Sequence, residues 1–157
     1  MKLRIHHFFD IIRDFGSGKD FFPHPYLHSY HKIANIILKD PFQRVEIVIG
    51  TDSVCEGCIK LKEHACTDII THRKDFTGKE EFNIYLDARI MEVCGIEADT
   101  VTNTVSLIKV SGKYIDNIHY IYSGNDKSHT EMRKLSVIKG VDNYIRKHGI
   151  ITSRFLF

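Results

Sequence analysis

The stretch Phe8-Phe-Asp-Ile-Ile-Arg-Asp-Phe15 sets the expected fold class, because its apolar side chains recur at the spacing of one helix face. The positions on that face are Phe8, Ile11, Ile12 and Phe15. Gly16-Ser-Gly18 follows directly and interrupts the pattern, as glycines do at helix ends. The sequence therefore predicts an amphipathic helix close to the start of the chain.

The same periodicity covers much of the remaining sequence. It predicts further helices over about residues 26–39, 77–95, 107–121 and 128–149. Capping-box sequences, Thr77-Gly-Lys-Glu80 and Ser128-His-Thr-Glu131, stand where the third and the last of these begin.

A β-branched run, Val45–Ile49, is ended by Gly50 and predicts a short buried strand, for which Leu3–Ile5 is a candidate partner. We expect one domain over residues 1–157, mainly α with about five helices. It would also contain a short one- or two-stranded β-element and a loop organised by a metal.

Composition limits the possible functions only loosely. The chain has 157 residues, 43% hydrophobic and 27% charged, which is typical of soluble globular proteins. Its net charge of +2 is too balanced to favour nucleic acid as a partner. No apolar run is long enough to span a membrane, and the start Met1–His7 has no secretory signal. These features predict a cytoplasmic protein, in which clustered cysteines are more often metal or redox groups than disulfides.

The segment from residue 50 to residue 76 lacks clear periodicity and contains three of the four cysteines. Cys55, Cys58 and Cys66 have the spacing Cys-x2-Cys-x7-Cys. Two thiolates separated by two residues can bind one tetrahedral metal, and a third leaves one position to fill. So long an irregular segment also needs something to organise it. A metal site is therefore predicted, against the simpler alternatives of free thiols or a redox-active pair.

The fourth ligand is open on sequence grounds. His7, Asp10 and Asp14 share a face of the first helix, and both imidazole and carboxylate bind metals. His6 lies beside them and His64 stands two residues before Cys66. The alternative for this helix face is an ordinary solvated surface. Cys94, in the last turn of an amphipathic helix, is expected to be a packed core thiol.

A second hypothesis starts from Asp52, which follows the predicted strand as a magnesium-binding carboxylate does in ribonuclease-H-like nucleases. Asp10 or Asp87 would supply a further carboxylate. Low sheet content, balanced charge and thiolates that prefer softer metals argue against it. The alternative function is thus a metal-dependent hydrolase or nuclease that uses Asp52 and Asp10 with an open metal position. Enzymatic activity itself stays undecided, because the sequence contains no nucleophile elbow, phosphate-binding loop or dinucleotide fingerprint.

Several motifs occur in order and at compatible spacing with a known family. They are Leu3-Arg-Ile-His6-His7-Phe-Phe-Asp10, Asp52-Ser-Val-Cys55-Glu-Gly-Cys58, Cys66 and Met91-Glu-Val-Cys94-Gly-Ile96. Over about residues 3–100 the chain resembles a family of small uncharacterised bacterial and archaeal proteins that are often described as probable iron–sulfur binders. Members begin L-R-x-H-H-L-L-C and carry D-x-I-C-x-x-C with a further Cys. The resemblance implies an iron–sulfur cluster.

This chain departs from the family pattern in two places. Asp10 stands where the family has Cys, and no C-terminal C-x-x-C is present, its nearest counterpart being Ser123–Asp126. Oxygen ligands in place of thiolates weaken the case for a cluster. We therefore expect an iron–sulfur cluster or a zinc ion bound by Cys55, Cys58 and Cys66, with Asp10, ahead of His7, as the remaining ligand. His6 and His7 would then orient the carboxylate or donate hydrogen bonds to the cysteine sulfurs.

Overall fold

The computed structural model describes residues 1–151, so residues 152–157 of the predicted domain lie outside the described residues. The helices are α1 Ile5–Gly16, α2 Tyr30–Lys39, α3 Lys79–Cys94, α4 Thr104–Asp116, α5 Ile118–Ile121 and α6 Lys127–His148. The strands are β1 Lys2–Leu3, β2 Arg44–Ile47, β3 Leu61–Lys62, β4 Ala65–Cys66 and β5 Val101–Asn103. The prediction of a mainly α fold with a small β-element is confirmed. In residues 1–151 no helix is long and apolar enough to cross a membrane.

A three-stranded sheet has the order β1-β2-β5. β1 runs parallel to β2, with Leu3 opposite Ile47, and β5 is antiparallel to β2 on its other side. The candidate pairing of residue 3 with the buried strand is thus confirmed. Only Arg4 separates β1 from α1, so the sheet edge and the first turn of the helix hold that residue between them.

Helices α1 and α6 pack with their backbones in contact, because glycine occupies both helices at the crossing. A Cβ added to Gly140 would lie 1.9 Å from the carbonyl oxygen of Ile12. A Cβ added to Gly16 would lie equally close, at 1.9 Å, to the carbonyl oxygen of Ser136. Only glycine permits so close an approach. It fixes α1, which carries the histidines, against the last helix of the chain.

Several boundaries differ from the prediction. α2 begins at Tyr30 instead of residue 26, since Leu27 has left-handed backbone, with φ 60°, which a right-handed helix cannot contain. The helix predicted over 107–121 is divided at Asn117 into α4 and α5.

Neither predicted capping box forms. The residue before α3 is Gly78, and α6 is capped by Asp126, whose Oδ1 accepts from the His129 backbone N–H at 2.8 Å. Because it is not part of a capping box, the Glu80 carboxylate is available for other hydrogen bonds.

Residues 50–76 contain short structured pieces. A 3₁₀ turn, Ser53–Cys55, follows Asp52, and β3 and β4 form a two-stranded hairpin separate from the main sheet. The preceding irregular segment contacts this region through main-chain hydrogen bonds, including Ile59 N–H to Tyr26 O at 2.9 Å and Ser29 N–H to Val54 O at 2.8 Å. The cysteine segment is therefore held in place by both its neighbours and its own turns.

Candidate functional site

A cavity of about 680 Å³ lies between α1, the start of α3, the segment before α2, the cysteine segment and the start of α6. This volume is in the range of small-molecule and cofactor sites. All five predicted metal ligands line it: Cys55, Cys58, Cys66, Asp10 and His7. Residues far apart in sequence are thus brought to one place.

The first two cysteines lie on a tight turn. Cys58 N–H donates to Cys55 O at 3.0 Å, and Gly57 between them has φ 78°, a left-handed conformation that suits glycine. Upstream, Asp52 Oδ1 accepts from the backbone N–H groups of Val54 and Cys55, at 3.0 and 3.3 Å. The Asp52 carboxylate therefore fixes the position of Cys55.

The third cysteine returns to the first two through the hairpin. Cys66 on β4 pairs with Leu61 on β3, three residues after Cys58. The two-residue turn between the strands has positive φ at Glu63 and His64, 46° and 67°, as a tight hairpin requires. His64 is exposed on this turn and does not line the cavity, which separates it from the other candidate ligands.

Asp52 also binds His7, and so connects α1 to the cysteine segment. His7 Nδ1 lies 2.8 Å from Asp52 Oδ2, which also accepts from the Arg4 backbone N–H at 2.8 Å. Burial would raise the pKa of Asp52, but His7 and the N–H donors hold it well below its usual range. Burial opposes protonation of His7, yet the Asp52 carboxylate raises the His7 pKa overall. The His7 ring is oriented by this bond, which leaves Nε2 for a ligand.

A second network joins His6 to Cys66. His6 Nδ1 lies 2.8 Å from Asp87 Oδ1, and Arg4 Nε donates to Asp87 Oδ2 at 2.6 Å. Arg4 Nη1 donates to Glu80 Oε1 at 2.8 Å, and Glu80 Oε2 accepts from the Cys66 backbone N–H at 3.1 Å. Burial, followed by the proximity of His7, lowers the His6 pKa. Each of the two neighbouring histidines is thus tied to its own buried carboxylate.

Arg4 is 1% exposed and lacks one acceptor. Its Nε and Nη1 atoms bind carboxylates, but Nη2 has no hydrogen-bond partner among residues 1–151. A buried N–H group without an acceptor costs about 1–3 kcal/mol. The position therefore favours an anionic or polar acceptor beyond those that residues 1–151 supply.

The acidic face of α1 does point into the cavity, but its carboxylates are already paired. Asp10 Oδ1 accepts from Arg13 Nη1 at 2.8 Å and from Arg133 Nη1 at 2.6 Å. Burial would raise the pKa of Asp10, but these two guanidinium groups keep it well below the usual range. Asp14 accepts from Arg13 and from the Tyr30 hydroxyl, the latter at 3.0 Å.

The cysteines are free thiols in the described structure. Burial raises the pKa of Cys55 to about 12, so that thiol is uncharged at neutral pH unless something stabilises the thiolate. Within residues 1–151 no three His, Cys, Asp or Glu side chains are grouped closely enough to share one ion. Cys94 lies in the core, 2% exposed, as expected for a packing residue.

Sequence reasoning missed the supporting residues Arg4, Glu80 and Asp87. Glu80 was assigned to a capping box, and Asp87 was considered only as a nuclease carboxylate. A signal for Arg4 did exist, because it stands between the apolar residues Leu3 and Ile5 at a strand-to-helix junction. A further set of cavity residues, also missed, is His24, His28, His72 and His129.

Comparison of the chain with protein-family models, with curated proteins and with solved structures gives no match. The functional argument therefore rests on the cavity and its side chains.

Proposed function

We propose that this protein binds one zinc ion in the cavity through Cys55, Cys58, Cys66 and His7. The observation that carries the proposal is the double role of Asp52, which holds the His7 imidazole through Nδ1 and the Cys55 backbone through its N–H. Metal-binding histidines in proteins commonly donate their second ring nitrogen to a carboxylate in this way. Two candidate ligands from distant segments thus depend on one buried acid.

His7 is favoured over Asp10 as the fourth ligand because of the charges around each. Asp10 neutralises Arg13 and Arg133, and a metal ion bound there would face two guanidinium groups. His7 faces no such competition, since its partner is the carboxylate of Asp52. Because these side chains are not grouped closely enough to share an ion in residues 1–151, the proposal requires the thiols and the imidazole to move toward the ion on binding.

The unpartnered Arg4 Nη2 supports an anionic centre nearby. Arg4 and Cys55 line the same cavity, and the positive charge of Arg4 acts to lower the pKa of the Cys55 thiol. Metal binding converts a cysteine thiol to a thiolate, which accepts hydrogen bonds. A thiolate at Cys55 would give Arg4 Nη2 the acceptor that it lacks.

Zinc fits this ligand set better than a cluster does, because three thiolates and one imidazole make a closed tetrahedral zinc shell. A closed shell favours a structural or regulatory role over turnover. The resemblance to probable iron–sulfur binders makes a cluster the competing outcome. The contacts do not favour the hydrolase alternative, since both oxygens of Asp52 are occupied by four donors.

Metal analysis tests the proposal. We expect protein purified without oxygen to contain about one zinc per chain, colourless and without acid-labile sulfide. Cys58→Ser should lose the metal and melt at a lower temperature. Cys94→Ala, the control, removes a thiol from the core and should keep the metal.

Two further variants identify the fourth ligand. His7→Gln should lose zinc affinity, and Asp10→Asn should retain it. Iron with matching sulfide would establish a cluster instead of zinc. Full metal content and unchanged melting in Cys58→Ser would overturn the site altogether.

A further inference from the structure

The mouth of the cavity carries a group of side chains that can donate hydrogen bonds and that are not among the proposed metal ligands. They are the side chains of His24 and His28, from the segment before α2, and of Lys60 and Lys79. Unlike the buried floor around Arg4 and His6, these side chains are exposed or half-buried. We call these four residues the basic mouth.

Contacts connect the basic mouth into one group. The rings of His24 and His28 stack with centroids 4.3 Å apart, and the His24 ring lies 4.9 Å from that of Tyr26. Lys60 Nζ lies over the Tyr26 ring at 4.9 Å. Burial, followed by the charge of His24, lowers the pKa of His28, and Lys79 joins the group through the Asp68 carboxylate that it shares with Lys60.

The two histidines of the basic mouth are donors toward the cavity. Tyr26 N–H donates to His24 Nδ1 at 3.1 Å, and Tyr30 N–H donates to His28 Nδ1 at 3.4 Å. A neutral imidazole that accepts at Nδ1 carries its proton on Nε2. Both rings therefore present an Nε2–H group, and neither can bind a metal through Nε2 without losing that proton.

Within residues 1–151 the two lysines pair with the same acid. Asp68 lies 3.8 Å from Lys60 Nζ and 3.2 Å from Lys79 Nζ, so its single charge balances only one of these two ammonium groups. Another acid that lines the cavity, Asp126, accepts from the Ser128 hydroxyl and the His129 backbone N–H on its Oδ1. Together the two ammonium groups and the two imidazole N–H groups can offer four donors to a bound anion.

We propose that the basic mouth binds the phosphate group of a small molecule, with Lys60 and Lys79 supplying charge and His24 and His28 donating from Nε2. The three or four oxygens of a phosphate match this number of donors, and the cavity has room for the attached molecule. This inference does not depend on the metal site, which uses other residues.

Calorimetric titration of the metal-depleted protein with inorganic phosphate tests the proposal. We expect saturable binding at one site that weakens as sodium chloride is raised. The double variant Lys60→Gln/Lys79→Gln should bind at least about tenfold more weakly. Lys109→Gln, which changes an exposed lysine outside the cavity, should bind like the wild type. Glycerol 3-phosphate should bind more tightly than inorganic phosphate if the natural ligand carries an organic group, and equally if it is free phosphate.

Nitrogen-15 spectra of the imidazoles supply a second measurement that does not require the variants to fold. His24 and His28 should be Nε2–H tautomers, and phosphate should shift both of their Nε2 signals. An Nδ1–H tautomer at both positions, or unchanged signals at saturating phosphate, would refute the proposal. So would phosphate binding that appears only after zinc is added, because the anion would then be a ligand of the metal.

Discussion

Replacing Asp52 by Asn isolates the interaction on which the candidate site depends. The side chain is fully buried, and an amide at this position keeps one oxygen for the N–H groups of Val54 and Cys55. The other oxygen is replaced by an NH₂ group. This group faces the Arg4 N–H, which in the wild type lies 2.8 Å from Oδ2. One buried donor is therefore left unpaired, at a cost of about 1–3 kcal/mol. Loss of the charge opposite His7 brings the expected destabilisation to about 3–5 kcal/mol, the usual effect of breaking a buried ion pair.

Urea denaturation of the metal-free protein at neutral pH measures this loss, with the exposed Asp116→Asn as the matched control. We further expect Asp52→Asn to lower zinc affinity by about 10- to 100-fold, as loss of a carboxylate behind a metal-binding histidine does. Competition with a chromophoric chelator measures the affinity. A change in unfolding free energy below about 0.5 kcal/mol, the usual size of a surface substitution effect, would refute the structural role of Asp52. If Asp52→Asn loses stability but keeps its zinc affinity, the hydrogen bonds of Asp52 stabilise the fold without supporting the metal site.

Two further predictions concern other contacts of α1. Gly140→Ala places a methyl group against the Ile12 carbonyl, so we expect the unfolding free energy to fall by at least about 2 kcal/mol despite the better helix propensity of Ala. Gly78→Ala, whose Cβ would meet only ordinary contacts, should change it little, and equal melting temperatures for the two variants would contradict the close packing. Asp10 has a pKa below that of the unfolded chain, so its carboxylate stabilises the protein above about pH 4 and this stability is lost as the pH falls further. Urea midpoints from pH 7 to pH 3 should therefore decline less steeply in Asp10→Asn than in the wild type.

Much of the fold could be predicted because its helices carry regular apolar faces. The end of α1 at Gly16, the end of α2 at Lys39 and the α3 helix up to Cys94 follow directly from the periodicity. The strand Val101–Asn103 could not be foreseen, because three residues show no alternation and its pairing with β2 depends on the tertiary structure. The break at Asn117 was missed for a similar reason, since the apolar pattern continues across it.

The candidate ligands of the site could be predicted from the sequence, but the residues that hold those ligands in place could not. Cysteine spacing identified Cys55, Cys58 and Cys66, and the helix face identified His7 and Asp10, all of which line one cavity. Sequence alone could not say that Asp10 would meet Arg133, because that contact joins residues 123 positions apart. Charged residues on helices are usually solvated, so nothing in the pattern marked Asp87 as fully buried.

The contact between α1 and α6 also bears on the order of events during synthesis. Every proposed zinc ligand lies within the first 66 residues, and His7 meets Asp52 across only 45 positions. Arg133, which forms part of the cavity wall, and Gly140, which packs against α1, are synthesised much later. A growing chain therefore has its thiols and imidazole before it has the helix that encloses them. On the metal-binding proposal, the open nascent segment can capture its ion first, and the arrival of α6 then traps it.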